Sequence, residues 1–157
     1  MKTTIILSII CFFSFLAENL QAQNQSAPPC IDTLVKNSSD SLVEAFRGQH
    51  FSLVNSASLT MESDYESAII VNLQKGNWYV LAFVGARTSK LLQVTVYGTQ
   101  QERVAYEKQK SFDKEGNMLI FSYRPEISGY HVINPLQANK KNKSVCGQLM
   151  LFKKEAR

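Results

Sequence analysis

The sequence holds two histidines, His50 and His131, and three cysteines, Cys11, Cys30 and Cys146. A nucleophilic triad needs a hydroxyl or thiol, a histidine and a carboxylate within hydrogen-bond reach. No Gly-x-Ser-x-Gly elbow is present. Ser128 stands before Gly129 and reads as a turn residue leading into a strand. His131 points opposite to Tyr130 and Val132 on that strand and reads as a solvent-facing or hydrogen-bonded histidine. A zinc site needs three or four clustered ligands, and neither His-x-x-x-His nor Cys-x-x-Cys spacing occurs. The glycine-rich phosphate loop is also absent. Glu62, Asp64 and Glu66 alternate, which fits a wet strand edge or loop better than a glycoside-cleaving pair. The residues therefore point to no catalytic group, no metal and no cofactor.

Side chains suited to contact are more plentiful. Tyr79, Tyr97 and Tyr123 form a candidate wet-face subset of the strand aromatics, able to stack on sugars or a partner peptide. Lys140, Lys141 and Lys143 crowd one loop, and from Leu136 onward Lys153, Lys154 and Arg157 join them against Glu155 alone. Such a cluster suits an anionic partner such as an acidic glycan or lipopolysaccharide, or serves as a solvated loop.

These residues need elements to position them. The chain begins with Lys2 and an uncharged run from Ile5 to Leu16, followed by Leu20, Gln21 and Ala22. That is the layout of a secretory signal peptide, 1–22. A membrane span needs about 20 apolar residues, and this run is shorter. Cys11 lacks the small-residue surroundings of a lipid-attached cysteine. Cleavage leaves the net charge at +4, because Lys2 and Glu18 leave together. No other segment is apolar enough to cross a bilayer, so the expectation is a periplasmic or extracellular protein, and export disfavours nucleic acid as a partner. Cys30 and Cys146 then remain. An even count in an oxidising compartment favours one disulfide, worth about 4 kcal/mol for so long a loop. The alternative is two buried free thiols.

Gln23 to Pro29 is polar and proline-broken and reads as a linker. Ile31, Leu34, Val35, Leu42, Val43 and Phe46 recur at helical spacing, predicting a helical segment over 30–48 that packs on the sandwich C-terminal to it. Asn37 to Asp40 interrupts the stripe, Asp40 or Ser41 offers a fresh cap, and Gly48 offers a stop. One kinked helix or two short ones are expected. From Phe51 the period turns towards two. Strands are predicted over Ser52–Met61, Ser67–Leu73, Trp78–Gly85, Leu91–Tyr97, Arg103–Glu107, Met118–Tyr123, Tyr130–Ile133 and Val145–Phe152. Leu92, Val94 and Val96 mark a buried face. Trp78 to Val84 is apolar on both faces and reads as a central strand. Short strands without intervening helices predict a mostly β protein, an antiparallel β-sandwich over 49–154.

The run Val71 to Leu81 gives a strand, a Lys-Gly turn and an aromatic strand; Leu91 to Tyr97 reads LLQVTVY; Tyr123 to Val132 gives a proline, then a Ser-Gly-aromatic strand start. This order resembles the bacterial pre-peptidase C-terminal domain over about residues 66–153. The resemblance implies a jelly-roll-like sandwich. Members of that family often carry acidic calcium loops, and Asp113, Glu115 and Asn117 are the comparable residues here, too few to hold calcium. The chain, ending in CGQLMLFKK before its last residues, also resembles small exported proteins of Bacteroidota, which implies location and fold but no chemistry. Asp32 to Leu34 and Asp40 to Leu42 are similar to the O-glycosylation tripeptide of that phylum, with Thr33 and Ser41 as the acceptors.

The sequence therefore predicts a non-catalytic exported module, binding or structural, that contacts a glycan, an envelope component or a partner protein. A second reading is a secreted protease inhibitor or protease-accessory module. A third is a hydrolase whose site sequence does not reveal.

Overall fold

A computed structural model describes residues 30–110 and 117–156. The expected signal peptide over 1–22 and linker over 23–29, together with Asp113 and Glu115, lie outside the described residues.

Asp32 starts the helix. Its carboxylate accepts from the backbone N–H groups of Leu34 at 2.9 Å and Val35 at 3.2 Å, a cap worth about 1 kcal/mol. The helix, α1 (Thr33–Gly48), is continuous, so the chain does not break into two short helices and no fresh cap forms at Asp40 or Ser41. The reason lies in the serines. Ser39 Oγ donates to the Val35 carbonyl at 2.8 Å and Ser41 Oγ to the Asn37 carbonyl at 2.9 Å. Their hydroxyls are satisfied within the helix instead of competing with it. The Lys36–Asp40 ion pair spans the same turn at 2.6 Å. Gly48 does not take the left-handed stop; His50 does, at φ 61°. Ile31 precedes the cap, never joins the helical stripe, and is 91% exposed.

Eight strands follow: β1 (Phe51–Glu62), β2 (Ile69–Leu73), β3 (Tyr79–Gly85), β4 (Leu91–Tyr97), β5 (Arg103–Lys110), β6 (Met118–Tyr123), β7 (Gly129–Ala138) and β8 (Ser144–Lys154). They form two antiparallel sheets, β1-β8-β3-β6 and β2-β7-β4-β5. This is the jelly-roll strand order, a double-sheet answer to the edge-strand problem.

One core lies between the sheets, built on Leu73, Leu81, Phe83, Val94, Val96, Ile133 and Leu151. A second lies under the helix, where Val35, Leu42, Val43 and Phe46 meet Val80, Ala82, Val84, Met150 and Phe152 on the outer face of the first sheet. β3 is thus buried on both faces, as its unbroken apolar run requires. The Cys30–Cys146 disulfide, with Cα atoms 5.2 Å apart, ties the chain just before the helix cap to β8. It holds α1 over that sheet.

β7 runs five residues beyond the predicted Ile133, through Pro135. Pro135 offers its carbonyl to Ser67 N–H at 3.0 Å, so its ring nitrogen faces the same side, past the end of β2. No ladder bond to β4 is lost. The extension carries Gln137, fully buried, to the junction of the two sheets. Its Oε1 accepts from Ala86 N–H at 3.0 Å and Ser89 Oγ at 2.8 Å, and its Nε2 donates to the Cys146 carbonyl at 2.8 Å. Glycines admit it. A Cβ on Gly85 would lie 2.9 Å from Gln137 Oε1, and one on Gly147 3.1 Å from Nε2.

Candidate functional site

The two sheets differ in what covers them. The outer face of β1-β8-β3-β6 lies under α1, whereas none of the described elements packs on the outer face of β2-β7-β4-β5. Inward alternation of Val71, Leu92, Val94, Val96, Ala105 and Ile133 decides which residues that bare face presents. Val132, Tyr97 and Arg103 form one cross-strand row, Asn134, Thr95 and Tyr106 the next, and Leu136, Gln93 and Lys108 a third. Tyr130 stands one row before Val132.

Three tyrosines therefore make a diagonal: Tyr130 on β7, Tyr97 on β4 and Tyr106 on β5. Each step moves one strand across and two residues along, a separation of about 7–8 Å. Tyr130 is 69% and Tyr106 42% exposed, and Tyr97 is half-buried. The rings are braced from the side. Arg103 lies 5.3 Å over the Tyr106 ring, and Tyr106 OH donates to Gln93 Oε1 at 3.2 Å. Asn134 Nδ2 donates to Glu66 at 2.9 Å while its Oδ1 has no partner. Gln93, Lys108 and Lys110 flank the diagonal with polar groups, whereas Thr95 is buried at 3% exposure and the Asn134 Oδ1 is covered.

Of the residues singled out in sequence, only Tyr97 belongs to this face. Tyr79 is 4% exposed in the inter-sheet core, its hydroxyl accepting from Gln74 N–H at 3.1 Å. Tyr123 sits opposite it on β6 and packs against the same core. The wet-face expectation is corrected for Tyr79, which β3 turns inward; the half-buried Tyr123 ring packs on the core and also lines a hollow at the sheet edge. Lys140, Lys141 and Lys143 are exposed in the β7–β8 loop, which is built on Asn139; Asn139 Oδ1 accepts from Lys141 N–H at 2.9 Å and Asn142 N–H at 3.2 Å. That loop lies at the far end of the sheet from Tyr130, so the structure does not join these lysines to the tyrosines. Tyr106 and Tyr130 were missed, although the two-residue alternation around Ala105 and Ile133 carried the signal.

A second feature lies at the seam between the edge strands β5 and β6. There a hollow of about 360 Å³ is walled by Thr99, Glu102 and Val104 on one side and by Tyr123, Arg124, Glu126 and Ile127 on the other, with His131 also lining it. His131 is buried at 2% exposure rather than solvent-facing. Its Nδ1 lies 3.0 Å from the Gly129 carbonyl, and its ring packs edge-on to Tyr123 with centroids 5.9 Å apart. A backbone carbonyl, not a carboxylate, orients the ring, which is not the arrangement of a catalytic triad. Burial and the negative charges of Glu102 and Glu126 push the Tyr123 phenol above its ordinary value. Among the described residues no cluster of histidine, cysteine or carboxylates forms a metal cage.

No family model and no curated protein matches the chain. Solved structures do show a likeness. PliG of Aeromonas hydrophila, a periplasmic inhibitor of g-type lysozyme, is 12% identical over 67% of this chain and 87% of its own, at a TM-score of 0.44. A CBM4 structure is 9% identical over 66% and 78%, at 0.42. A chain of the glycosylation-associated Gap123 complex of Streptococcus agalactiae is 16% identical over 66% and 39%, at 0.34. With all three TM-scores below 0.5, the reading of the site rests on this chain's own residues.

Proposed function

We propose that the protein is a non-catalytic exported binding module that holds an acidic glycan against the bare sheet face. The observation that carries this reading is the Tyr130–Tyr97–Tyr106 diagonal. Tyrosine presents a rigid, amphipathic ring whose fixing costs little side-chain entropy. The apolar faces of sugar rings lie on such rings, while their hydroxyls need donors and acceptors, which Gln93 and the tyrosine hydroxyls supply. Arg103, Lys108 and Lys110 align along β5 and favour carboxylate or sulfate groups on the same chain. The long-range disulfide supports a protein working in an oxidising compartment.

The test compares the protein with Tyr106→Ala and Tyr130→Ala against acidic and neutral polysaccharides, by titration calorimetry or affinity electrophoresis. Each substitution should weaken binding to an acidic polysaccharide roughly tenfold, as expected for a central aromatic contact. Raising the salt should weaken it too. Lys36→Ala, on α1 over the other sheet, should leave it unchanged. Equal affinity of the tyrosine variants and the parent would contradict the assignment.

A further inference from the structure

The seam hollow has a chemistry unlike that of the tyrosine face. Nearly every polar group lining it accepts hydrogen bonds. Glu102 comes from the β4–β5 loop and Glu126 from the β6–β7 loop, so two glutamates from separate loops line the same space. Among the described residues the ion pairs lie on α1, and neither glutamate takes part in one. Glu102 Oε2 accepts only the Gln100 N–H, at 2.9 Å. Buried His131 adds a further acceptor. A carbonyl can only accept, so Nδ1 carries the proton that it gives to Gly129. In the neutral ring this leaves Nε2 as a bare lone pair, on a side chain that lines the hollow and is 2% exposed. The Tyr123 ring offers a π face in the same wall, and Val104 and Ile127 supply apolar sides. Arg124, the one cation lining the hollow, is engaged elsewhere: its guanidinium stacks 4.9 Å from the Trp78 ring centroid.

We infer that this hollow is a binding site for an alkyl guanidinium, the side chain of an arginine presented by a partner protein. The planar five-donor fork matches two carboxylates and an imidazole lone pair, and its face stacks on an aromatic ring. The aliphatic stem lies along Val104 and Ile127. An ammonium group suits the same charges but neither the fork nor the stack. The volume lies within the range of about 300–1,000 Å³ typical of small-ligand sites. The Tyr123 phenol is raised mainly by burial, with Glu102 and Glu126 adding to it. This inference does not depend on the glycan reading, because the tyrosine face contributes none of the lining residues.

The test follows the His131 ring protons by NMR while three probes are added at low salt: agmatine, N-acetyl-arginine-N-methylamide and N-acetyl-lysine-N-methylamide. Both guanidinium probes should shift the His131 signals saturably, with dissociation constants on the order of millimolar, and the lysine probe should bind several-fold more weakly. Glu102→Gln and Glu126→Gln should each weaken the guanidinium probes at least fivefold. Glu44→Gln, on the exposed side of α1, serves as the control and should not. Equal binding of the lysine probe would overturn the guanidinium assignment. Binding of agmatine alone would overturn the polypeptide source. Absence of any shift, or shifts unaltered in the double Glu102→Gln/Glu126→Gln variant, would overturn the site.

Discussion

Reducing the Cys30–Cys146 disulfide, or replacing both residues by serine, lowers the thermal unfolding midpoint by about 15 °C, corresponding to about 4–5 kcal/mol. The bond closes a loop across a sequence separation of 116, nearly the whole described chain. In the chain-entropy account so long a loop restricts the unfolded ensemble strongly. A local effect adds to the global one. Cys30 lies two residues before the Asp32 cap, and Cys146 packs against the cluster beneath the helix. Without the tie, α1 keeps only its apolar contacts, and its first turn is released from β8. Val80, Ala82, Val84, Met150 and Phe152 then become intermittently exposed. The reduced protein should therefore bind a hydrophobic dye below its unfolding midpoint, and the oxidised protein should not. Circular dichroism with and without reductant gives the midpoint. A change of less than about 2 °C would contradict a stabilising role for the cross-link.

The second large effect is expected at Gln137. Gln137→Leu keeps the volume of the side chain but removes its hydrogen bonds. Ala86 N–H, Ser89 Oγ and the Cys146 carbonyl would be left without this partner in the interior. A stranded buried donor or acceptor costs about 1–3 kcal/mol. The three together should destabilise the fold by about 3–5 kcal/mol, less than their sum because Ser89 can rotate towards another acceptor. Chemical denaturation should report the loss as a lower midpoint at constant slope. Gln137→Glu should be no better, because its second oxygen would face the Cys146 carbonyl, acceptor against acceptor. A Leu variant as stable as the parent would mean that the polar junction adds nothing beyond packing.

Much of the architecture was legible from residue types. Eight apolar or alternating runs between turn-forming residues located the eight strands, since a two-residue period with branched and aromatic side chains has few other uses. Lys75, Gly76 and Asn77 marked the β2–β3 connection, with Gly76 at φ 77°. Two other local readings failed for local reasons. The serines of α1 looked like breakers because their internal hydrogen bonds are invisible in sequence. The strand predicted to end at Ile133 runs on, because the harmless side of Pro135, beyond β2, depends on where another strand stops.

The binding face was only half legible. Tyr97 followed from the alternation of Leu92, Val94 and Val96. Tyr79 did not, because β3 is apolar on both sides, and the parity of a strand buried between a helix and a second sheet carries no inside-outside signal. Its cross-strand partner Tyr123 is half-buried and lines the seam hollow rather than the bare sheet face. The seam hollow was beyond reach. Glu102, Glu126 and His131 come from three separate stretches, and only the closure of β5 against β6 brings them together. Gln137 was unreadable for the same reason: a glutamine in a strand reads as solvent-facing until the junction that satisfies it is known.

The most direct measurement is a chemical-shift map of the isotope-labelled protein during titration with an acidic oligosaccharide. The account predicts saturable changes concentrated on the outward residues of β4, β5 and β7, with the ring signals of Tyr97, Tyr106 and Tyr130 among the largest and those of buried Tyr79 unmoved. Changes centred on α1 or on the Lys140–Lys143 loop, or none up to saturating ligand, would contradict it.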